Sequence, residues 1–369
     1  MDSAFKLGKI FGIQFRLHYS WFIIFILVTV SLIDPNWSSP LHWIVAIVTS
    51  LLFFASILAH ELAHSLVGRG YGIPIKSITL FIFGGMAQMT KEARSAGAEF
   101  SMAAAGPACS LALGGLFYLI SWFAVDISEP VAAGIQWLVF VNVALAVFNL
   151  IPGFPLDGGR VFRSLLWRFT NNYQRSTSIA TRLGQGVGYL FIIGGIVVIF
   201  VHPPEVSWFS GLWLAFIGWF LQNAASASYR QLKWCENLSG LVAAQVMTAD
   251  FSVVPIDVTI GRLIERYIFT TGRRYFVVVD AGSLQGVLTL QNIKSITRPN
   301  WSVTQIKDIM TPVDRLKVAY PDQDVLNILE QMDENNIDHM VVVSEGNVVG
   351  LVNRENIMNY LRTRSELNV

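Results

Sequence analysis

The stretch Ile57-Leu58-Ala59-His60-Glu61-Leu62-Ala63-His64-Ser65 closes a run, residues 35–59, that holds no Asp, Glu, Lys or Arg. Ionisable groups at the end of such a run need a partner or a task, because a lipid-embedded helix charges heavily for them. On a helix, residues four apart share a face, so His60 and His64 can grip one ion together. Glu61 lies one residue round from His60 and can reach a water on that ion. The surrounding composition agrees with a chain that sees lipid. Of 369 residues, 53% are hydrophobic and 14% charged, against about a quarter charged in soluble proteins, and mean hydropathy is +0.51. This excludes a disordered, collagen-like or disulfide-stapled secreted chain. The net charge of +1 excludes the basic excess of a nucleic-acid binder. Cys109 and Cys235 are too few for a disulfide framework.

Charge is unevenly spread. Residues 230–369 hold 30 of the 51 formal charges, and the first 229 residues hold 21. Six gaps in that first part lack charge: 17–33, 35–59, 100–125, 130–156, 183–204 and 206–229. A spanning helix needs about 20 mostly apolar residues; five gaps reach that, and the first is at the lower limit. Residues 1–16 are too polar for a cleaved signal peptide, so the first span is expected to stay in the mature chain. Lys6, Lys9 and Arg16, then Arg69, Lys76, Lys91 and Arg94, then Arg160, Arg163, Arg168, Arg175 and Arg182, then Arg230 and Lys233, fall in alternate connectors. The other connectors carry Asp34, Asp126, Glu129 and Glu205, without Lys or Arg. The positive-inside rule then puts both termini in the cytoplasm, with spans 2 and 4 running in the same direction. A soluble helical bundle has no reason to sort its charge this way.

His60, Glu61 and His64 form the H-E-x-x-H arrangement of zinc hydrolases. A catalytic zinc takes three protein ligands and keeps one position open, so a third ligand must reach the same depth. Asn149-Leu150-Ile151-Pro152-Gly153-Phe154-Pro155-Leu156-Asp157-Gly158-Gly159-Arg160 closes span 4. His60 and Asn149 lie equally far, roughly 28 Å at helical rise, from their outer boundaries. Pro152 and Pro155 then break the helix, so Asp157 arrives near the level of His60 and His64. The competing assignment makes Asp157 a helix N-cap among turn residues. His18, His42 and His202 near span ends, and His339 in the tail, are expected to lie away from the metal.

On these two segments the chain resembles the site-2 protease family of intramembrane metalloproteases, over the whole membrane part. The resemblance implies that His60, His64 and Asp157 bind one zinc ion per chain, that Glu61 is the general base, and that Asn149 steadies the oxyanion or holds the substrate. Phe83-Gly84-Gly85 resembles the family's re-entrant Gly-Gly segment. Ala105-Gly106-Pro107 resembles its A-G-P-x-x-N stretch, with Ser110 where Asn is usual. That departure is expected to leave the metal site untouched and to bear only on helix packing. The segment Ile75 to Thr90 mixes β-branched and aromatic residues with a Gly pair and reads as a re-entrant strand pair. Either it plugs the bundle, or an extended substrate pairs with one edge, since a membrane helix must unwind before its backbone can be cut.

The tail repeats itself. Gln245-Val246-Met247-Thr248 answers Asp308-Ile309-Met310-Thr311, and Tyr275-Phe276-Val277-Val278 answers His339-Met340-Val341-Val342. Gly286-Val287-Leu288-Thr289 answers Gly350-Leu351-Val352-Asn353. Each unit reads helix, strand, strand, helix, and the pattern resembles a tandem pair of CBS domains. Such pairs often hold an adenine nucleotide, gripped by Ser or Thr followed three residues later by Asp. Here Thr289 is followed by Asn292, and Asn353 by Asn356. Arg273 and Arg274 offer charge for phosphates or are solvated surface. A nucleotide sensor and a purely structural or dimerising module both stay open.

The expected architecture is thus a polytopic α-helical membrane protein of six spans with a re-entrant β-hairpin, joined to a soluble α/β tandem CBS module. Residues 1–229 form the core, 230–243 a linker, and 244–298 and 299–369 the repeats. The expected activity is an intramembrane zinc endopeptidase of the cell (inner) membrane that cuts transmembrane regulatory proteins, with a homodimer formed through the tail. A CBS-gated transporter or channel would show repeated halves, which residues 1–229 lack. A catalytically dead scaffold would show a broken ligand set, and none is missing.

Overall fold

The computed structural model describes residues 4–33, 40–82, 84–89, 93–124, 128–201, 207–280, 283–335 and 337–367. Asp34, Phe83, Lys91, Asp126, His202 and Glu205, used above, lie outside the described residues. The chain forms two compact units, Met1–Lys233 and Trp234–Val369.

The first unit opens with a hairpin. Strand β1 (Ala4–Ile10) pairs antiparallel with β2 (Ile13–His18), across Phe11 and Gly12, both at positive φ, as a two-residue hairpin turn prefers. In β2, Ile13, Phe15 and Leu17 are buried while Gln14, Arg16 and His18 are half-buried, the period-2 pattern of a strand with one face on a core. Residues 4–16, read above only for their charge, thus form a folded hairpin. The first apolar run begins in this strand, not in a helix, because Leu17 packs with Leu80, Phe54 and Ile57.

Helix α1 (Ser20–Ser31) leads to α2 (Pro40–Gly70). The strands expected between Ile75 and Thr90 are present as β3 (Ile75–Phe81) and β4 (Gly84–Met89), and the sheet order is β1-β2-β3-β4. Ile13, Phe15 and Ile78 pack with Leu58 and Leu62, so the sheet lies on the turns of α2 that flank His60.

Four helices follow α2 and its sheet in two pairs. They are α3 (Ala96–Ala124), α4 (Glu129–Asn149), α6 (Tyr173–Val201) and α7 (Trp208–Leu238), with the shorter α5 (Asp157–Thr170) between the pairs. Among the described residues, α2, α3, α4 and α6 are long and apolar enough to cross a membrane, while α1 is shorter; its 12 residues span about 18 Å against a hydrocarbon core of about 30 Å. Large apolar side chains face outward along these helices, including Leu27, Phe123, Phe140 and Leu190. In water such a surface would drive association.

In the second unit, β5 (Ser252–Pro255), β6 (Tyr275–Asp280), β7 (Ser283–Thr289) and β8 (Thr311–Pro312) form one sheet in that order. A second sheet holds β9 (Val318–Ala319), β10 (His339–Ser344) and β11 (Asn347–Asn353), with β10 central. The antiparallel strand pair expected in each repeat is present. The repeats exchange their leading segments. Thr311 pairs with Val287 of the first repeat, and Thr248 bridges Leu351 of the second. Accordingly Ile306, Ile309 and Met310 pack in the first core, and Leu241, Ala243 and Val246 in the second.

Tyr275 and His339, at equivalent repeat positions, meet with ring centroids 4.4 Å apart. His339 Nδ1 is buried without a hydrogen bond. Burial pushes the imidazole down to about 4, with Asp338 partly opposing. The unfolded chain takes up this proton near pH 6.5, before the folded chain does. The tail is therefore expected to hold its full stability above pH 6.5 and lose about 2–3 kcal/mol as pH falls to 4. The urea midpoint of the full chain should drop over that window and flatten in His339→Phe. An unchanged pH profile in that variant would assign the acid sensitivity to other groups.

Candidate metal centre

His60 and His64 stand one turn apart on α2, buried at 3% and 4% exposure. Their rings are nearly perpendicular, with centroids 4.9 Å apart. Each outer ring nitrogen is held by α3: His64 Nδ1 lies 2.6 Å from the Met102 carbonyl, and His60 Nδ1 lies 2.8 Å from Ser110 Oγ. Ser110 thus orients a histidine of the centre, which corrects the expectation that its replacement of Asn bears only on helix packing. The physical reason is the course of α3, which runs directly across the imidazole pair. A Cβ on Gly106 would come within 2.1 Å of His64 Nε2 and 2.6 Å of His60 Nε2.

Asp157 comes from the other side. After α4 ends at Asn149, Leu156 N donates to Gly153 O at 3.1 Å, so the proline-interrupted segment turns back before α5. Leu156 occupies the N-cap position and Asp157 is the first residue of α5. Its Oδ2 lies 3.1 Å from His60 Nε2 and 3.1 Å from His64 Nε2, and the two Nε2 atoms are 3.2 Å apart. The carboxylate is committed to the imidazoles and not to a capping bond.

The donor set fits a metal ion. The Met102 carbonyl only accepts, so His64 Nδ1 carries a hydrogen, and the neutral ring turns its Nε2 lone pair towards Asp157 and His60. Lone pairs converging at these distances repel unless a cation lies among them. Donors bound at about 2.0 Å around a tetrahedral zinc sit about 3.3 Å apart, close to the triangle seen here. His60, His64 and Asp157 form the metal-competent group found among the described residues.

Glu61 is half-buried beside this triangle. A Cβ on Gly85 would stand 2.4 Å from Glu61 Cγ, so a glycine in β4 makes room for the carboxyl. Asn149 ends α4, half-buried, and its amide makes no hydrogen bond among the described residues. In the tail, Thr289 and Asn292 hold each other: Thr289 Oγ1 donates to Asn292 Oδ1 at 2.7 Å, and Asn292 N donates back to Thr289 Oγ1 at 3.3 Å. They cap the helix Leu290–Lys294, while Asn353 Oδ1 accepts from Asn356 N at 2.7 Å. Sequence reasoning missed Met102 and the roles of Gly106 and Ser110 against the imidazoles; the Gly-Pro pair inside a long apolar helix was the available signal.

A bundle of apolar helices with a His-His-Asp group beside a glutamate defines a membrane metallohydrolase. The model of peptidase family M50 matches residues 48–128 and 124–195, and the CBS domain model matches 242–297 and 306–363. A Synechocystis relative, sll0528, carried under a zinc-metalloprotease name, is 35% identical over 98% of this chain and 97% of its own length. The zinc metalloprotease MJ0392 of Methanocaldococcus jannaschii is 30% identical over 100% and 99%. A solved site-2 protease from the same organism is 30% identical, covering 62% of this chain and 95% of that one, with a TM-score of 0.45. The chain belongs to the M50 family of site-2 zinc metalloproteases and carries a tandem CBS pair. The transporter and scaffold alternatives are set aside.

Proposed function

We propose that the chain is an intramembrane endopeptidase that cuts transmembrane segments of regulatory membrane proteins, with zinc held by His60, His64 and Asp157. The observation that supports this most is the convergence of the His64 Nε2 lone pair, His60 Nε2 and Asp157 Oδ2 within 3.2 Å of one another. Zinc bound there supplies Lewis acidity and brings the pKa of water towards 7. Glu61 takes the proton from the attacking water and returns it to the leaving amine. Asn149 donates its amide hydrogen to the charge that develops on the peptide oxygen. An unwound substrate pairs with the outer edge of β4, the edge strand whose Gly85 lies against Glu61, and so presents its backbone to the base.

In this proposal α2, α3, α4 and α6 span the cell (inner) membrane, α7 and the shorter α1 complete six crossings, α1 where the bilayer thins to meet it, β3 and β4 re-enter the membrane, and both termini are cytoplasmic, as the Lys and Arg distribution favours. The core takes residues 1–229, the linker 230–243 and the repeats 244–298 and 299–369, the last two also joining copies into a homodimer. The tail senses an adenine nucleotide through Thr289 and Asn292, whose mutual hydrogen bonds must be exchanged for bonds to it. Titration of the full chain with ATP, ADP and AMP is expected to give heat for at least one; silence for all three removes the sensor. For the enzyme, purified protein is expected to carry one zinc that His60→Ala loses. Zinc retained by that variant at full stoichiometry would place the metal elsewhere.

A further inference from the structure

A buried charged pair beside the centre has no part in the chemistry above. Glu99 on α3 is 0% exposed and Arg163 on α5 is 6% exposed. Arg163 Nε donates to Glu99 Oε1 at 2.6 Å, and Nη2 donates to the same oxygen. Arg163 Nη1 donates to Thr177 Oγ1 on α6 at 3.4 Å. The guanidinium also lies over two rings, 4.8 Å from the Phe154 centroid and 4.7 Å from that of Tyr173. Taking both charges out of water is expensive, and such a pair is weak evidence for stability by itself. Its place in the bundle gives it another use.

We propose that the Glu99–Arg163 pair positions Asp157 against the two imidazoles and thereby sets the affinity of the centre for its metal ion; this rests on the assignment of His60, His64 and Asp157 as zinc ligands. Glu99 precedes Met102 by one helical turn on α3, and the Met102 carbonyl holds His64. Arg163 follows Asp157 on α5 by less than two turns. Phe154, under the guanidinium, enters the same turn three residues before Asp157, and its N–H donates to Ala180 O of α6 at 3.4 Å. One side chain therefore ties the helix that orients His64 to the loop and helix that deliver the carboxylate. Without the pair, α5 can move against α3, and a ligand displaced by a fraction of an ångström loses its bond. A guanidinium suits the place because two of its nitrogens donate to Glu99 Oε1 while its central carbon lies over both rings, which a lysine ammonium does not reproduce.

The test uses full-length protein in detergent, with zinc affinity read by chelator competition and geometry by the visible spectrum of the cobalt-loaded form. Glu99→Gln and Arg163→Met are expected to bind zinc about 10–100-fold more weakly, the range seen when groups that hold metal ligands are removed. Their cobalt spectra should change while helix content does not. Arg163→Lys should fall between these and the wild type. Glu99→Leu with Arg163→Met removes both charges together, which spares the fold the cost of one unpaired charge, and should show the same loss of affinity. Wild-type affinity and spectrum in any folded variant of the first two or the double would overturn the proposal. Failure of every variant to fold would also overturn it, by making the pair a folding element. Wild-type protein that binds no zinc, or His60→Ala protein that keeps it, would instead remove the ligand assignment first.

Discussion

Glu61→Gln protein is expected to keep its zinc at full stoichiometry while cleaving a membrane substrate about 10²–10⁴-fold more slowly, the usual contribution of a positioned general base. The amide has the shape of the carboxyl and keeps its place against Gly85, but it cannot take up a proton at neutral pH. His60, His64 and Asp157 remain as they are, so metal content and cleavage should separate. Metal analysis and single-turnover cleavage on the same preparation check this. Cleavage at the wild-type rate would remove Glu61 from the chemistry, and joint loss of metal and activity would make it a ligand instead.

Gly106→Ala should have the second large effect, and the opposite signature: loss of metal. The added methyl would stand 2.1 Å from His64 Nε2 and 2.6 Å from His60 Nε2, against the two nitrogens proposed to hold the ion. Either it crowds them or α3 moves away, taking with it Met102 and Ser110, which hold the two rings. Zinc affinity is expected to fall by more than about 100-fold, beyond the loss of a single supporting hydrogen bond, with about 1–3 kcal/mol of overpacking. Gly115 lies on the same helix with nothing within 4 Å of a built Cβ. Gly115→Ala should bind zinc normally and gain up to about 1 kcal/mol of helix propensity. Equal zinc binding by the two alanine variants would show that the close approach of α3 has no bearing on the metal.

The order of these effects follows from contacts of different range. His60, Glu61 and His64 are legible because their spacing matches a helical turn and their surroundings are apolar. Asp157 is legible by a longer argument, equal depth on two helices that run the same way, with Pro152 and Pro155 stopping the advance. The β3–β4 hairpin and the strand pair of each tail repeat show in β-branched runs broken by glycine. The hairpin of β1 and β2 is equally local, in the alternation of Ile13, Phe15 and Leu17, but Lys6, Lys9 and Arg16 give the segment the look of a basic connector.

What no spacing carries is contact between segments far apart in the chain. Ser110 reads as a packing position until α3 is laid across α2, where its hydroxyl meets His60 Nδ1. The two tail repeats read as successive units, yet Thr311 strengthens the sheet of the first and Thr248 pairs with the second. Periodicity and motif record what a residue does to its neighbours within a turn or a strand, so they yielded the apolar helices and the ligand types. The partners that orient those ligands are chosen by how helices and repeats pack, and that choice depends on shape and desolvation summed over the whole fold.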